Sequence, residues 1–338
     1  MINLAAMSQQ RKTVEDVARA AGVSLMTVSR AINGRPGVSE ETRRVVIAIA
    51  EEMGYRPSRL ASGLASRSAS SFGIVLPDMA NPYFATLAKA ATDVAREAGL
   101  PVFVMNTDED PALELAAYDA LNDERINGLV VSGSRLPHKK LEEAMRHFRA
   151  SVLVNSALHG EGIVNVDVDD KRGVEDIVAY LRSTGRRRIG FVAGPRESTS
   201  GRRRLAGLKA SLRLHDVPFD AGSIERCIPN MEGGRKAVIS LLERRPRLDA
   251  VIAYNDVTAI GILRGLEEAG RRVPADIAVV GVDDIAYAAL VHPALTTLRV
   301  DIAALGRMAM TSLLDLRGGR PAPRWEPLRP ELVIRESA

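Results

Sequence analysis

Between residues 24 and 33 the chain carries Leu25, Met26, Thr27, Ser29 and Arg30 interleaved with Val28, Ala31 and Ile32. At helical spacing the last three face inward and the first five face outward. A guanidinium, two hydroxyls and two apolar tips on one exposed face suit contact with base edges and phosphates. A second set of chemically able residues follows short apolar runs further on: Asp78, Asn81, Tyr83 and Phe84, then Asn155, Ser200, Arg204, Asn255 with Asp256, and Asp283. In open α/β sheets the space beyond the strands' carboxyl ends is where ligands gather. Catalytic chemistry has no comparable candidates. G-x-G-x-x-G, G-x-x-x-x-G-K-[ST] and G-x-S-x-G are all absent, and the five histidines lack metal-ligand spacing. Cys227 is the single cysteine and reads as a buried structural thiol. No catalytic, metal or cofactor site is expected, and the chain is not expected to be an enzyme.

The elements that must position these residues fall into two patterns. Val14, Val17, Ala18 and Ala21 give a first helix one apolar face, Gly22 permits a tight turn, and Ser24 is a suitable N-cap for a second helix. Such a pair fits a helix-turn-helix, or an ordinary helical hairpin at a domain edge, and the pattern alone leaves both open. Charge adds weight to the first: residues 1–68 hold ten Lys/Arg and six Asp/Glu, the whole of the chain's net +4. After a Ser-rich stretch at 66–71, apolar runs at 72–76, 102–105, 128–131, 152–154, 189–193, 250–253 and 277–281 read as buried strands. Amphipathic segments at 83–98, 112–122, 139–148, 173–184, 203–214, 233–244 and 256–269 read as the helices between them. That alternation predicts parallel sheets covered on both faces, and the strands are too many for one comfortable sheet, so two lobes are expected. No secretory signal and no membrane-spanning run is read from the sequence, so a cytoplasmic, nucleoid-associated protein is expected.

The segments Asp16-Val17-Ala18, Ala21-Gly22-Val23-Ser24, Thr27-Val28-Ser29-Arg30 and Gly54-Tyr55-Arg56-Pro57 resemble the N-terminal domain of the LacI/GalR family of bacterial transcription regulators. The likeness runs from about Thr13 to Val333. It implies a small all-α helix-turn-helix head and an α/β body of two parallel-sheet lobes, like periplasmic sugar-binding proteins. Residues 1–56 would form the DNA-binding domain, 57–71 a hinge helix and linker, and 72–338 a ligand-binding and dimerisation domain. Three chain crossings between the lobes are expected near 168–169, 299–301 and 326–328.

By the same resemblance, Leu25 and Met26 read bases and Arg30 contacts a guanine. Thr27, Ser29, Asn33 and Ser39 would touch phosphates, with Thr13, Ser24 and Arg59 as further DNA contacts. Leu64 would wedge into the minor groove at the operator centre, while Tyr55 packs against the third helix. In the cleft, Arg204 and Asp283 would grip ligand hydroxyls, supported by Asn155, Ser200 and Asn255, with Tyr83 and Phe84 as an apolar platform. Pro229 and Val300 stand where relatives carry an aromatic and a Gln, and Asn155 replaces a frequent Asp. Those departures leave a sugar acid or polyol as open as a sugar. The implied function is a ligand-responsive repressor that binds a pseudo-palindromic operator as a homodimer and is released by a small effector. A solute-binding module without a transcriptional role and a corepressor-dependent regulator are the alternatives.

Overall fold

Thr13 starts the first helix, α1 (Val14–Ala21): its hydroxyl accepts from the Asp16 N–H at 3.3 Å while the Asp16 carboxylate accepts from the Thr13 N–H at 2.9 Å. This reciprocal cap satisfies two N–H groups that a helix start leaves unpaired. Gly22 closes α1 at φ +66°, a left-handed conformation open to glycine without steric cost. Ser24 then accepts from the Thr27 N–H at 3.1 Å to start α2 (Leu25–Ile32), and Ser39 does the same for Thr42 at 3.2 Å ahead of α3 (Glu40–Glu52). Val17, Ala18, Val28, Ala31, Val46 and Ala50 form the head's small core, with Val14, Ala21, Ile32 and Tyr55 packed around it. The structure is a computed structural model and describes residues 12–32, 34–55, 71–156, 158–215, 217 and 219–338. The chain divides into two compact units, 1–69 and 70–338.

In the second unit, β1 (Phe72–Leu76), β2 (Val102–Asn106), β3 (Gly128–Ser132), β4 (Ser151–Val154) and β5 (Ile163–Val166) form a parallel sheet in the order β2-β1-β3-β4-β5. It packs with α4 (Pro82–Glu97), α5 (Pro111–Asp123) and α6 (His138–Met145). The second sheet contains β6 (Ile189–Ala193), β7 (Ile224–Arg226), β8 (Ala250–Ala253), β9 (Ala278–Asp283), β10 (Thr296–Arg299) and β11 (Glu331–Val333). Its order is β11-β10-β9-β8-β6-β7, parallel except for β11. Its helices are α7 (Asp170–Ser183), α8 (Thr199–Leu214), α9 (Met231–Arg244) and α10 (Asp256–Glu268).

One helix belongs to the first lobe although it follows the second lobe's strands. In α11 (Ile302–Arg317), Leu305, Ala309, Met310 and Leu313 join the first lobe's core. A Cβ at Gly306 would stand 2.3 Å from the Leu87 carbonyl oxygen, so glycine at this position lets α11 lie directly on α4. The chain therefore crosses between the lobes after β5, after β10 and before β11, where the three crossings were expected. The first and third lie side by side: Asp169 N–H donates to Leu328 O at 2.9 Å and Leu328 N–H to Asp167 O at 2.8 Å.

All seven expected strands and all seven expected helices of the body are present; strands 72–76, 189–193 and 250–253 have the expected bounds, and the other elements have shifted ends. α6 stops at Met145, three residues before the expected end, and α8 begins at Thr199, four before the expected start. The elements absent from the sequence reading are β5, β7, β10, β11 and α11. The strands among them have only three or four residues, and β5 places Asn165 inside an apolar run. Cys227 is half-buried rather than buried, and burial pushes its thiol up to about 11.

Candidate functional site

The two lobes enclose a cavity of about 360 Å³. Eight of the ten candidates from the strand ends line it: Asn81, Tyr83, Phe84, Asn155, Ser200, Arg204, Asn255 and Asp283. Asp256 lies off the wall, its carboxylate accepting from the Thr297 hydroxyl and the Ile285 N–H at 2.5 and 2.9 Å. Asp78 does not line it either, which corrects the reading that placed it there. Its carboxylate accepts from the Ala80 N–H at 2.8 Å and shapes the loop ahead of α4 instead. Asn81 and Asn255 reach the wall as N-caps of α4 and α10, their amide oxygens accepting from Tyr83 and Thr258 N–H at 3.0 and 2.9 Å. Tyr83 and Phe84 meet edge to face, centroids 5.0 Å apart. Asn155 adopts φ +55°, which asparagine tolerates better than most residues. Its amide donates to the Tyr83 hydroxyl at 3.1 Å and accepts from the Val168 N–H at 3.0 Å, tying the cavity wall to the first crossing.

The charged centre is Arg204, which is 6% exposed. Its Nε donates to Asp170 Oδ1 at 2.7 Å and its Nη1 to the Tyr254 carbonyl at 2.6 Å, while its guanidinium lies 5.6 Å from the Tyr254 ring centroid. Burial works against the charge, but Asp170, Asp283 and Tyr254 outweigh it, so the guanidinium is held more basic than usual. Asp283 sits at φ +121°, a strained conformation of the kind that clusters at functional sites. Burial pushes its carboxyl well above the ordinary range; Arg204 pulls it back, and Asp256 and Asp170 push it further up. Its carboxylate accepts no hydrogen bond from any described residue. Tyr83 is also shifted upward, by burial and then by Asp283.

Several residues on or behind the cavity wall escaped the sequence reading. Asp170, the partner of Arg204, is the first residue of α7; an acid directly after a lobe crossing, facing the basic run 202–204, was the available signal. Arg135 is 3% exposed, forks onto Glu109 (Nη2–Oε1 2.9 Å, with a second contact through Nε) and donates to Gly133 O at 2.8 Å. Its backbone N–H donates to buried Glu114 at 2.7 Å. Ser132 presents a buried hydroxyl beside the expected Ser200, and Ser198 shares a 2.8 Å hydrogen bond with the Tyr254 hydroxyl. Val300 is absorbed into the first lobe's core, while Pro229 lines the cavity. Across the cleft, Arg203 of α8 reaches Asp167 Oδ1 at 2.7 Å and Ser156 O at 3.1 Å, joining the lobes beside Asn155.

In the head, Leu25 is 48% and Met26 62% exposed, and Arg30 is also exposed, so none of the three serves the core. Thr27 and Ser29 are half-buried. The hydroxyls of Thr13, Ser24 and Ser39 serve the helix starts, and Ser24 and Ser39 also share hydrogen bonds with the Thr27 and Thr42 hydroxyls at 2.9 and 2.8 Å. Asn33, Arg59 and Leu64 lie outside the described residues. No described helix is long and apolar enough to cross a membrane.

Residues 13–58 match the family "Bacterial regulatory proteins, lacI family", and residues 178–338 match "Periplasmic binding protein-like domain". The chain is 33% identical to the transcriptional regulator GalS of Salmonella typhimurium, over 91% of this chain and 90% of that one. It is also 33% identical to catabolite control protein A of Streptococcus mutans, over 90% and 91%. Among solved structures, the lac repressor dimer bound to operator and the anti-inducer ONPF superimposes with TM-score 0.82 at 28% identity, covering 97% of this chain and 99% of that one. The transcriptional regulator CelR in complex with cellobiose matches at TM-score 0.73 and 28% identity, covering 97% and 100%.

Proposed function

The chain belongs to the lacI family of bacterial regulatory proteins and is a ligand-responsive DNA-binding regulator; from that premise we propose that it is a repressor released from its operator by a small sugar-like effector. Two copies pair on a pseudo-palindromic site, because one head reads a half-site and two-fold symmetry joins two of them. That the similar lac repressor is a dimer on its operator supports this pairing. Head, hinge and body are assigned to 1–56, 57–71 and 72–338. Leu25, Met26 and Arg30 read bases, Thr13, Ser24, Thr27, Ser29, Asn33, Ser39 and Arg59 line the backbone path, and Leu64 enters the minor groove as a wedge.

One observation carries the effector reading. Buried Arg204 and Asp283, the latter on a strained backbone, line one cavity with an aromatic pair and free hydroxyls, the donor and acceptor set a polyhydroxylated molecule requires. Occupancy must favour one arrangement of the lobes, since a ligand with equal affinity for both shifts nothing. The Arg203–Asp167 contact lies where such a rearrangement would be felt. Coupling is expected at about 1–3 kcal/mol and must be reciprocal, so operator DNA weakens effector binding by the same factor.

The test is fluorescence anisotropy on DNA selected by the full chain, with and without effector. Asp283→Asn should retain DNA binding and lose release. If the folded variant loses DNA binding outright, a corepressor role replaces the proposed one.

A further inference from the structure

Charge is unevenly matched around the start of α8. Arg196, Arg202 and Arg204 line the cavity there, and Arg226 borders an adjoining hollow that shares Glu109 and Pro229 with it. Arg204 is committed to Asp170. The Arg202 guanidinium rests on the Arg196 and Glu197 carbonyls at 3.2 and 2.6 Å and on the Thr199 hydroxyl at 2.9 Å. Arg226 donates to Gly194 O at 2.8 Å. None of Arg196, Arg202 and Arg226 is ion-paired to a described carboxylate; the acids beside them are Glu197 and Glu109, the latter held by Arg135. Burial lowers the basicity of Arg226 and the charge of Arg196 lowers it further, with Glu197 opposing both to a smaller extent.

The helix itself adds to this field. α8 has no acid in its first turn, and its N-terminal end carries roughly half a positive charge from the aligned peptides. Ser200, in that first turn, and Ser132, on the first lobe's wall, are both more than nine-tenths buried. Both line the cavity, and neither hydroxyl has a partner among the described residues. A neutral sugar would satisfy the hydroxyls and leave the three arginines unmatched. An anionic group would satisfy both.

We propose that the effector is an acid-bearing polyol, a sugar carboxylate or sugar phosphate, whose anionic end rests at the start of α8 against Arg196, Arg202 and Arg226. Its hydroxyls then reach Ser132, Ser200 and Asp283. This rests on the effector role assigned to the same cavity and narrows it to one charge class. Arginine forks suit both carboxylate and phosphate oxygens, so the two sources are separated by experiment.

Calorimetry on the full chain would compare five- and six-carbon sugars, each as the neutral sugar, the aldonate and the terminal phosphate, with inorganic phosphate alongside. The best acid should bind about tenfold or more tightly than its neutral counterpart. The gap should narrow as salt is raised. The double variant Arg196→Gln/Arg226→Gln, altered outside the Arg204–Asp170 pair, should lose most of that preference, its acid affinity falling far more than its neutral-sugar affinity. Whether aldonate or phosphate leads identifies the anion.

Equal binding of neutral and acid forms overturns the proposal, as does a double variant that loses both alike. Inorganic phosphate binding as tightly as any sugar phosphate also overturns it, since the hydroxyls would then contribute nothing. If neutral sugars bind and release DNA without an acid preference, only the charge class fails. If no sugar of any class binds, the effector role of the cavity fails with it.

Discussion

The head exposes its candidate chemistry to solvent, and the body buries its own. In the head, Leu25, Met26 and Arg30 project into solvent from a core of six small side chains, and none of the three helps hold that core. In the body, Arg204, Asp283, Ser200 and Asn255 are buried, and Arg204 is part of what keeps Asp170 tolerable in the interior. A DNA-reading surface must be exposed to reach a groove, so reading and stability separate. A small-molecule site gains strength from a low-dielectric interior, so binding and stability are coupled there.

The largest expected effect tests that coupling. Arg204→Ala should abolish the effector response and also destabilise the body by about 3–5 kcal/mol, because Asp170 is left buried without its cation. Asp170 Oδ2 already lacks a partner among the described residues, so little else can compensate. Thermal melting beside the anisotropy assay checks it; loss of response with unchanged melting would break the comparison.

A second effect belongs to the body's interior behind the cavity. Burial holds Asp256 up at about 7 against an ordinary 3.8, with the Thr297 hydroxyl and the Ile285 N–H opposing burial and Asp284 adding to it. The folded state therefore binds the proton more tightly than the unfolded chain, so stability is greatest below 3.8 as far as this group is concerned. It falls as pH rises from 3.8 to about 7, by up to about 1.4 kcal/mol per pH unit, and levels off above. Urea titrations across that window should show the slope, and Asp256→Asn should reduce it, leaving the part that the raised carboxyl of Asp283 contributes.

Two smaller effects separate reading from stability in the head. Arg30→Ala should relax preference at one base position by about 1–3 kcal/mol while leaving the head's melting unchanged. Thr13→Ala should do the reverse, costing about 1 kcal/mol of head stability through the lost cap and leaving base preference intact. Binding to a library of operator variants, measured with melting, distinguishes them. Equal losses on operator and random DNA for Arg30→Ala would remove its reading role.

Much of this architecture is local and so was legible in the chain. Gly22, Ser24 and the inward Val17, Val28 and Ala31 depend on neighbours within a few positions, where spacing carries the information. The alternating apolar runs likewise announced the parallel sheets, because strands buried on both faces must be apolar nearly throughout. Strand ends then placed eight of ten candidate residues on the cavity wall. What the sequence could not decide depends on segments far apart in it. α11 joins the first lobe because Gly306 permits contact with Leu87, more than two hundred residues earlier. β11 exists only as an antiparallel partner of β10, its three residues too few to signal a strand alone. Asp78 and Asp170 look alike as acids near strand ends, yet one turns into its own loop and the other faces Arg204. Burial and pairing are set by what the whole chain brings alongside, and that is a property of the packed structure rather than of any window of residues.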